Sequence, residues 1–310
     1  ARVGIAGQSV GIAEAAYRVA RDYASTRRQF AVAIEQLPAV RDMLIDMKTA
    51  IEAARALLYE TSRVVDLEIG FAKQLETTPP ENKAEAKELK NESRKYRRYA
   101  AMLTPMSKYY CSEMCNSVTY DSIQVLGGSG YMRDYACERY ARDARITTIY
   151  EGTSQLQVVA AVRGVCSGTA EKFMTELSQH KYDAQISDLL DILAKGRELL
   201  AESVVFVKGQ GTEYMDLYGR AVVDIAVDLI NGYLFCGQAS TKVDMKVPVA
   251  ENGSDDNGKT IAMKKRKAIV ARRYITRNAP KIAALAELIR TGDKSTLTEY
   301  EALVGPVPSD

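Results

Sequence analysis

Apolar positions along the chain recur mostly at helical spacing. From Arg2 to about residue 26, Val3, Ala6, Val10, Ala13, Tyr17, Ala20 and Ala24 form a stripe of small and apolar side chains. Together with Gly4, Gly7 and Gly11 it suits close approach of another helix. Arg27-Arg28-Gln29-Phe30 breaks the pattern into a loop. Pro38 then opens a second helix that runs to about residue 70, with Val40, Met43, Leu44, Met47, Ile51, Ala54, Leu57, Leu58 and Val64 on its apolar face. Between 75 and 99 the character changes. Thr77-Thr78-Pro79-Pro80 and a Lys/Glu-rich run predict an exposed insertion between core helices, partly helical through Glu/Lys pairs. A third long helix is expected from about residue 100 to Leu126, lined by Met102, Met106, Tyr109, Tyr110, Met114, Val118 and Ile123, and stopped at Gly127-Gly128-Ser129-Gly130. A short helix near 136–140 and another from about 153 to 165 complete an all-α antiparallel four-helix bundle.

Residues 168–310 look helical again, over roughly 169–180, 184–208, 212–244, 260–277 and 279–291. The organisation expected is a bundle domain over 1–167 and a helical C-terminal extension over 168–310. Two stretches in the extension imitate functional motifs. Gly253-Ser254-Asp255-Asp256-Asn257-Gly258-Lys259-Thr260 has the letters of a P-loop. Asp255 and Asp256 repel phosphate and no parallel α/β pattern surrounds it, so it reads as a surface loop. Lys264-Lys265-Arg266-Lys267 with Arg272-Arg273, interleaved with Ile269, Val270 and Tyr274, makes a basic helix. It reads as one solvated face beside a buried one, with contact to an anionic membrane surface as the alternative.

Composition narrows the class. The net charge of +2 gives no electrostatic footprint for nucleic acid, and no run of eighteen apolar residues suggests a transmembrane helix. Five cysteines without scaffold spacing point to a reducing, cytoplasmic setting. Cys111 and Cys115 share a helix face, but with His180 as the only histidine they read as free thiols and no metal site is assigned. The chain starts without Met and without a signal-peptide layout, so a fragment of a longer chain is expected.

The candidate chemistry lies in Arg142–Gln157. Glu151 sits between Tyr150 and Gly152, ahead of the helix caps Thr153 and Ser154. A carboxylate on a turn beside an aromatic ring suits a general base, since desolvation by substrate raises its pKa toward working pH. It equally suits a surface Glu favoured by the dipole of the following helix. Gly152 keeps side-chain bulk away from the turn. Arg27 and Arg28 beside Phe30 suit a phosphate or pyrophosphate clamp, or a solvated loop with a buried Phe.

Several spaced stretches together carry a resemblance. Gln124-Val125-Leu126-Gly127-Gly128-Ser129-Gly130-Tyr131, Arg142-Asp143-Ala144-Arg145-Ile146 and Ile149-Tyr150-Glu151-Gly152-Thr153-Ser154-Gln155-Leu156-Gln157 resemble the acyl-CoA dehydrogenase flavoenzymes. Val10-Gly11-Ile12-Ala13 and the Tyr23–Phe30 segment fit the same family, and the resemblance covers residues 2 to about 165. It implies the C-terminal four-helix domain alone, without the family's helical and β domains. It also implies FAD, an acyl-CoA substrate, an electron-transfer flavoprotein or similar acceptor, and a homodimer or tetramer. In the family, the glutamate matching Glu151 removes the α-proton of the thioester, and the β-hydrogen leaves as hydride to the flavin. The product is a trans-2-enoyl-CoA. The backbone N–H matching Glu151 helps bind the thioester carbonyl.

By the same resemblance, Arg27 matches an arginine reaching the FAD pyrophosphate of a neighbouring subunit. Gln29 stands where the family often has Thr, and Phe30 matches an aromatic near the adenine part. Gln124 and Gly128 match FAD contacts across the subunit interface, and Thr153 and Gln155 match contacts just after the base. Arg2 matches an arginine near the active site, and Tyr150 and Gly152 flank the base at the substrate. Some members place the base immediately before that arginine; here that residue is Ala1, which leaves Glu151. The alternatives are a helical oligomerisation module without its own turnover and a flavin-dependent oxidase of the same superfamily. Since the flavin ring needs the absent β domain, the isolated chain is expected to be inactive.

Overall fold

The computed structural model describes residues 1–77, 83–242, 245–248 and 260–307. The fold is all-α. Helices α1 (Arg2–Thr26), α2 (Pro38–Thr77), α3 (Lys83–Leu126) and α6 (Ser154–Cys166) form the bundle, with short α4 (Gly128–Tyr131) and α5 (Cys137–Thr147) between the last two. The extension adds α7 (Thr169–Ser178), α8 (Ser187–Gln210), α9 (Thr212–Leu217), α10 (Gly219–Ala239) and α11 (Met263–Arg290), then two short turns, α12 (Ser295–Thr298) and α13 (Tyr300–Val304). Two small antiparallel hairpins are the only sheet among the described residues: β1 (Arg28–Gln29) with β2 (Val32–Ala33), and β3 (Lys246–Pro248) with β4 (Thr260–Ala262).

α3 is the spine. On one side it packs with α1, α2 and α5 around Ala6, Ala13, Ala20, Ala24, Met47, Ile51, Cys111 and Cys115. The alanines of the α1 stripe and Val10 are buried there, as their spacing predicts, while Val3 and Tyr17 are half-buried. On the other side α3 shares a second core with α6, α7, α8, α10 and α11, through Met102, Met106, Val162, Phe173, Leu193 and Ile275. The extension is thus joined to the bundle by a common core. Gly164 sets the α6–α3 distance, because a Cβ there would stand 2.8 Å from the Cβ of Met102. The five thiols are buried, and burial pushes those of Cys111, Cys115 and Cys236 up to about 12. α10 is long and apolar enough to cross a membrane by length and composition, but 78% of that window is buried inside the fold.

Several boundaries differ from expectation. The Lys/Glu-rich run is helical and largely exposed, as expected, but it extends the core helices rather than standing between them. α2 continues to Thr77, and α3 already begins at Lys83, with Leu89 and Tyr99 buried and Phe71 stacked on Tyr96 at 5.4 Å. The stretch 27–37 is a hairpin and a 3₁₀ turn, with Phe30 and Ala31 at positive φ. The glycine run does not simply stop α3: after Gly127 (φ 61°) it makes the helical turn α4. The helix near 136–140 extends to Thr147. The predicted 212–244 helix breaks at Tyr218 and ends at Ala239. The predicted break near residue 278 is absent. α11 runs through Pro280, because burial of Ile275, Ile282, Ala286 and Ile289 outweighs the one backbone hydrogen bond that proline removes. The P-loop letters fall outside the described residues except Thr260, which lies in β4.

The basic face of α11 is solvated at Lys265 and Arg272, but much of it is turned onto the acidic residues of α2. Arg266 and Lys267 both pair with Glu52 on α2, and Arg273 and Arg277 pair with Asp42 and Asp46. Burial alone pushes the Glu52 carboxyl up, but the Arg266 and Lys267 pairs more than offset it and hold it at about 2. A depressed carboxylate stabilises the fold above its unfolded pKa and loses that contribution as pH falls through the folded one. For Glu52 the window runs from about 4.5 down to about 2 and is worth about 3 kcal/mol. Glu52→Gln is expected to lose about that much at pH 7 and to show a flatter acid limb in urea melts across that window. An unchanged acid limb would show that the seam contributes nothing.

Candidate active site

The turn between α5 and α6 is built to expose one carboxylate. Asn116 on α3 donates to the Ala144 carbonyl at 3.0 Å and anchors α5. Arg145 donates to Thr148 Oγ1 beyond the helix end. Thr153 caps α6 by accepting from the Leu156 N–H at 3.4 Å, and the Ser154 N–H donates to the Thr148 carbonyl at 2.9 Å, closing the loop. Within it Glu151 takes φ 58° and Gly152 φ 94°. A left-handed non-glycine residue is held only where its surroundings over-determine it. Here Gln157, buried on α6, donates from Nε2 to the carbonyls of Glu151 and Gly152, each at 3.1 Å. Lys108, fully buried on α3, donates to the Gly152 carbonyl at 2.8 Å. Burial lowers the Lys108 pKa and the charge of Arg2 adds to that, against the attraction of Glu113. The space beside Gly152 is already taken, since a Cβ there would meet Gln157 Nε2 at 2.6 Å.

The Glu151 side chain is exposed and has no hydrogen-bond or ion-pair partner among the described residues, and its backbone N–H is also unpaired. It opens onto a cleft of about 550 Å³ shared with Arg2 on α1, Val65 and Glu68 on α2, and Arg97 and Thr104 on α3. Pro105, also on the wall, has no N–H, so the Ala101 carbonyl beside it loses its usual helical donor. Tyr150 closes one side of the turn by donating to Gln8 Oε1 on α1, and burial, with the Glu151 charge second, raises its pKa.

The remaining predicted residues divide between two places. Thr153 and Gln155 are exposed beside Glu151, with Arg2, Tyr150 and Gly152. Arg27, Gln29 and Phe30 lie on the β1–β2 hairpin, and Gln124 and Gly128 at the end of α3, all exposed. Tyr23 packs edge-on to Tyr135 at 5.5 Å and ties the end of α1 to the segment before α5. This second group stands far from the first: Lys108, which touches the Glu151 turn, and Gln124 lie about 24 Å apart along α3. Sequence reasoning missed Lys108, Gln157, Gln8, Glu113 and Arg97. Lys108 did leave a signal, as the sole charge between Arg98 and Glu113 on a helix otherwise apolar there.

The chain matches the family described as "Acyl-CoA dehydrogenase, C-terminal domain" over residues 1–77 and 83–165. It is 36% identical over 156 residues to the caffeyl-CoA reductase-Etf complex subunit CarC of Acetobacterium woodii, covering 50% of this chain and 34% of that protein. To the mitochondrial short-chain specific acyl-CoA dehydrogenase of Bos taurus it is also 36% identical over 156 residues, covering 50% and 31%. Among solved structures, the acyl-CoA dehydrogenase complexed with FAD from Bacillus anthracis aligns with all of this chain and 53% of its own (TM-score 0.66, 20% identity). Caenorhabditis elegans ACDH-11 in complex with C11-CoA aligns with 94% of this chain and 47% of its own (TM-score 0.63, 18% identity). At those identities the likeness is one of fold, and it includes the extension. The chain belongs to the acyl-CoA dehydrogenase family as its C-terminal domain. It spans about a third of the length of the curated relatives it matches.

FAD fits the exposed groups as an edge contact. Phe30 is 83% exposed, Arg27 has no ion-pair partner among the described residues, and nothing lies within 4 Å of a Cβ placed on Gly127 or Gly128. An unpaired guanidinium, an uncovered aromatic face and open backbone suit a pyrophosphate and an adenine lying along the surface.

Proposed function

We propose that the chain works as the C-terminal part of an FAD-dependent acyl-CoA dehydrogenase, converting an acyl-CoA thioester to its trans-2-enoyl-CoA with Glu151 as the α-proton base. The observation that carries this is a carboxylate without partners, fixed by its backbone in a left-handed turn, at the mouth of a cleft lined by Arg2 and Arg97. Its oxygens are free to take the α-proton. Its unpaired backbone N–H is free to donate to the thioester oxygen, where negative charge builds as the proton leaves. Lys108 and Gln157 hold both turn carbonyls, so the donor and the base move as one unit. Arg2 and Arg97 could each pair with an anionic group of a ligand, beside the carboxylates of Glu68 and Glu151.

When bound, FAD supplies the two-electron acceptor. Arg27, Gln29, Phe30, Gln124 and Gly128 would hold its pyrophosphate and adenine part, and Thr153 and Gln155 would meet it beside the base. The two groups stand too far apart along α3 to serve one site in one copy. The reading therefore includes a homodimer or tetramer in which each cofactor is shared between copies, and an electron-transfer flavoprotein or similar acceptor outside it. The exposed Phe30, Tyr131 and Met132 suit such an interface, so assembly is a second role of the same surface. Retention of a Glu at position 151 favours dehydrogenation over the oxidase alternative. Residues 1–310 mixed with FAD and acyl-CoA are expected to show no turnover above background, because the family resemblance places the flavin ring against a β domain. Sustained turnover by the isolated chain would overturn the division of labour.

A further inference from the structure

One of the polar chains that join the extension to the bundle ends at the Glu151 turn. Arg220 stands in the first turn of α10, where Gly219 presses on α6; a Cβ on Gly219 would stand 3.4 Å from Val158. The Arg220 guanidinium lies over the ring of buried Tyr109 at 5.2 Å, and its Nε donates to the Tyr109 hydroxyl at 2.8 Å. That hydroxyl donates in turn to Asp224 Oδ1 at 2.8 Å. The other arm of Arg220 pairs with Glu113 Oε1 at 3.1 Å. The same oxygen accepts from Ser154 Oγ at 2.5 Å, and Ser154 is the residue whose N–H closes the turn onto Thr148. Lys108 grips the turn from the α3 side, and the Arg220–Glu113–Ser154 chain holds its far end.

We propose that the extension is a brace for the base-bearing turn and that Arg220 is a positioning residue, acting through Glu113 and Ser154. The physical reason lies in the geometry of the fork. A planar guanidinium reaches Tyr109 and Glu113 at once and fixes the carboxylate that Ser154 needs. Tyr109 and Asp224 in turn fix the guanidinium, so the arrangement is a network rather than a lone surface pair. The consequence for catalysis rests on the reading of Glu151 given above; the mechanical claim does not.

The test is amide hydrogen exchange across residues 148–157 in the 310-residue chain, without flavin or acyl-CoA. Arg220→Gln is expected to speed exchange there about fivefold, with the amides in the middle of α1 and α2 unchanged. Ser154→Ala is expected to do the same, and the double variant to add little, because both cut one chain. Arg220→Lys, which keeps the charge but loses the fork, should fall between and serves if the Gln variant does not fold. In the full-length enzyme kcat should drop several-fold while KM holds. A lowered melting temperature without faster exchange at the turn, or fully additive variants, would overturn the brace. Because exchange is read without cofactor, a failed brace leaves the dehydrogenase reading standing. A confirmed brace beside an inactive enzyme would count against that reading alone.

Discussion

Glu151→Gln is expected to cut the turnover of the full-length flavoprotein by at least about 10³-fold while leaving its flavin content and fold unchanged. The side chain makes no hydrogen bond or ion pair among the described residues, so the isosteric amide removes the proton acceptor and its charge without cutting a contact. The left-handed backbone at this position is set by Gln157 and Lys108 and should survive the change. Loss of α-proton exchange between bound acyl-CoA and deuterated solvent is the most specific readout. Retention of turnover within about tenfold would move the base to another residue.

Lys108→Met should separate stability from activity. Removing a fully buried ammonium in favour of an apolar chain of similar length relieves a desolvation cost, and such exchanges are often neutral or stabilising. The melting temperature is therefore expected to stay within about 5 °C of the parent. The Gly152 carbonyl keeps Gln157 but loses its 2.8 Å bond to α3, and the base can drift. A misplacement of about 1 Å costs on the order of 100-fold in rate. The predicted signature is thus a well-folded protein with kcat reduced about 30- to 100-fold. A variant that is badly destabilised yet fully active per folded molecule would assign Lys108 to the core alone.

These residues also show what the sequence carries. The helical stripes of α1 and the middle of α2, the Pro38 start and the Thr153 cap are legible, because local spacing and capping chemistry decide them. The α2–α3 hairpin was not, since its outer turns are held by a few contacts such as Phe71 on Tyr96 within a charged run that reads as solvated. α11 crosses Pro280 because its far half is buried against α8 and α10, and local rules do not see that packing. At the site, Glu151 is marked by its neighbours Tyr150, Gly152 and Thr153. The Gln157 clasp is local, but the Lys108 clasp and the Arg220 chain come from residues 41 to 115 positions apart in contact, which no local window brings together. The basic face of α11 illustrates the same limit, because its partners Asp42, Asp46 and Glu52 lie more than two hundred residues earlier.

The most direct measurement is an anaerobic titration of the full-length flavoprotein with acyl-CoAs of increasing chain length, following the oxidised flavin band, with Glu151→Gln alongside. The account predicts that at least one acyl-CoA bleaches the band in the parent, that enoyl-CoA appears in step with it, and that the variant stays oxidised. A bound flavin that no acyl-CoA reduces, or a variant that bleaches as fast as the parent, would contradict it.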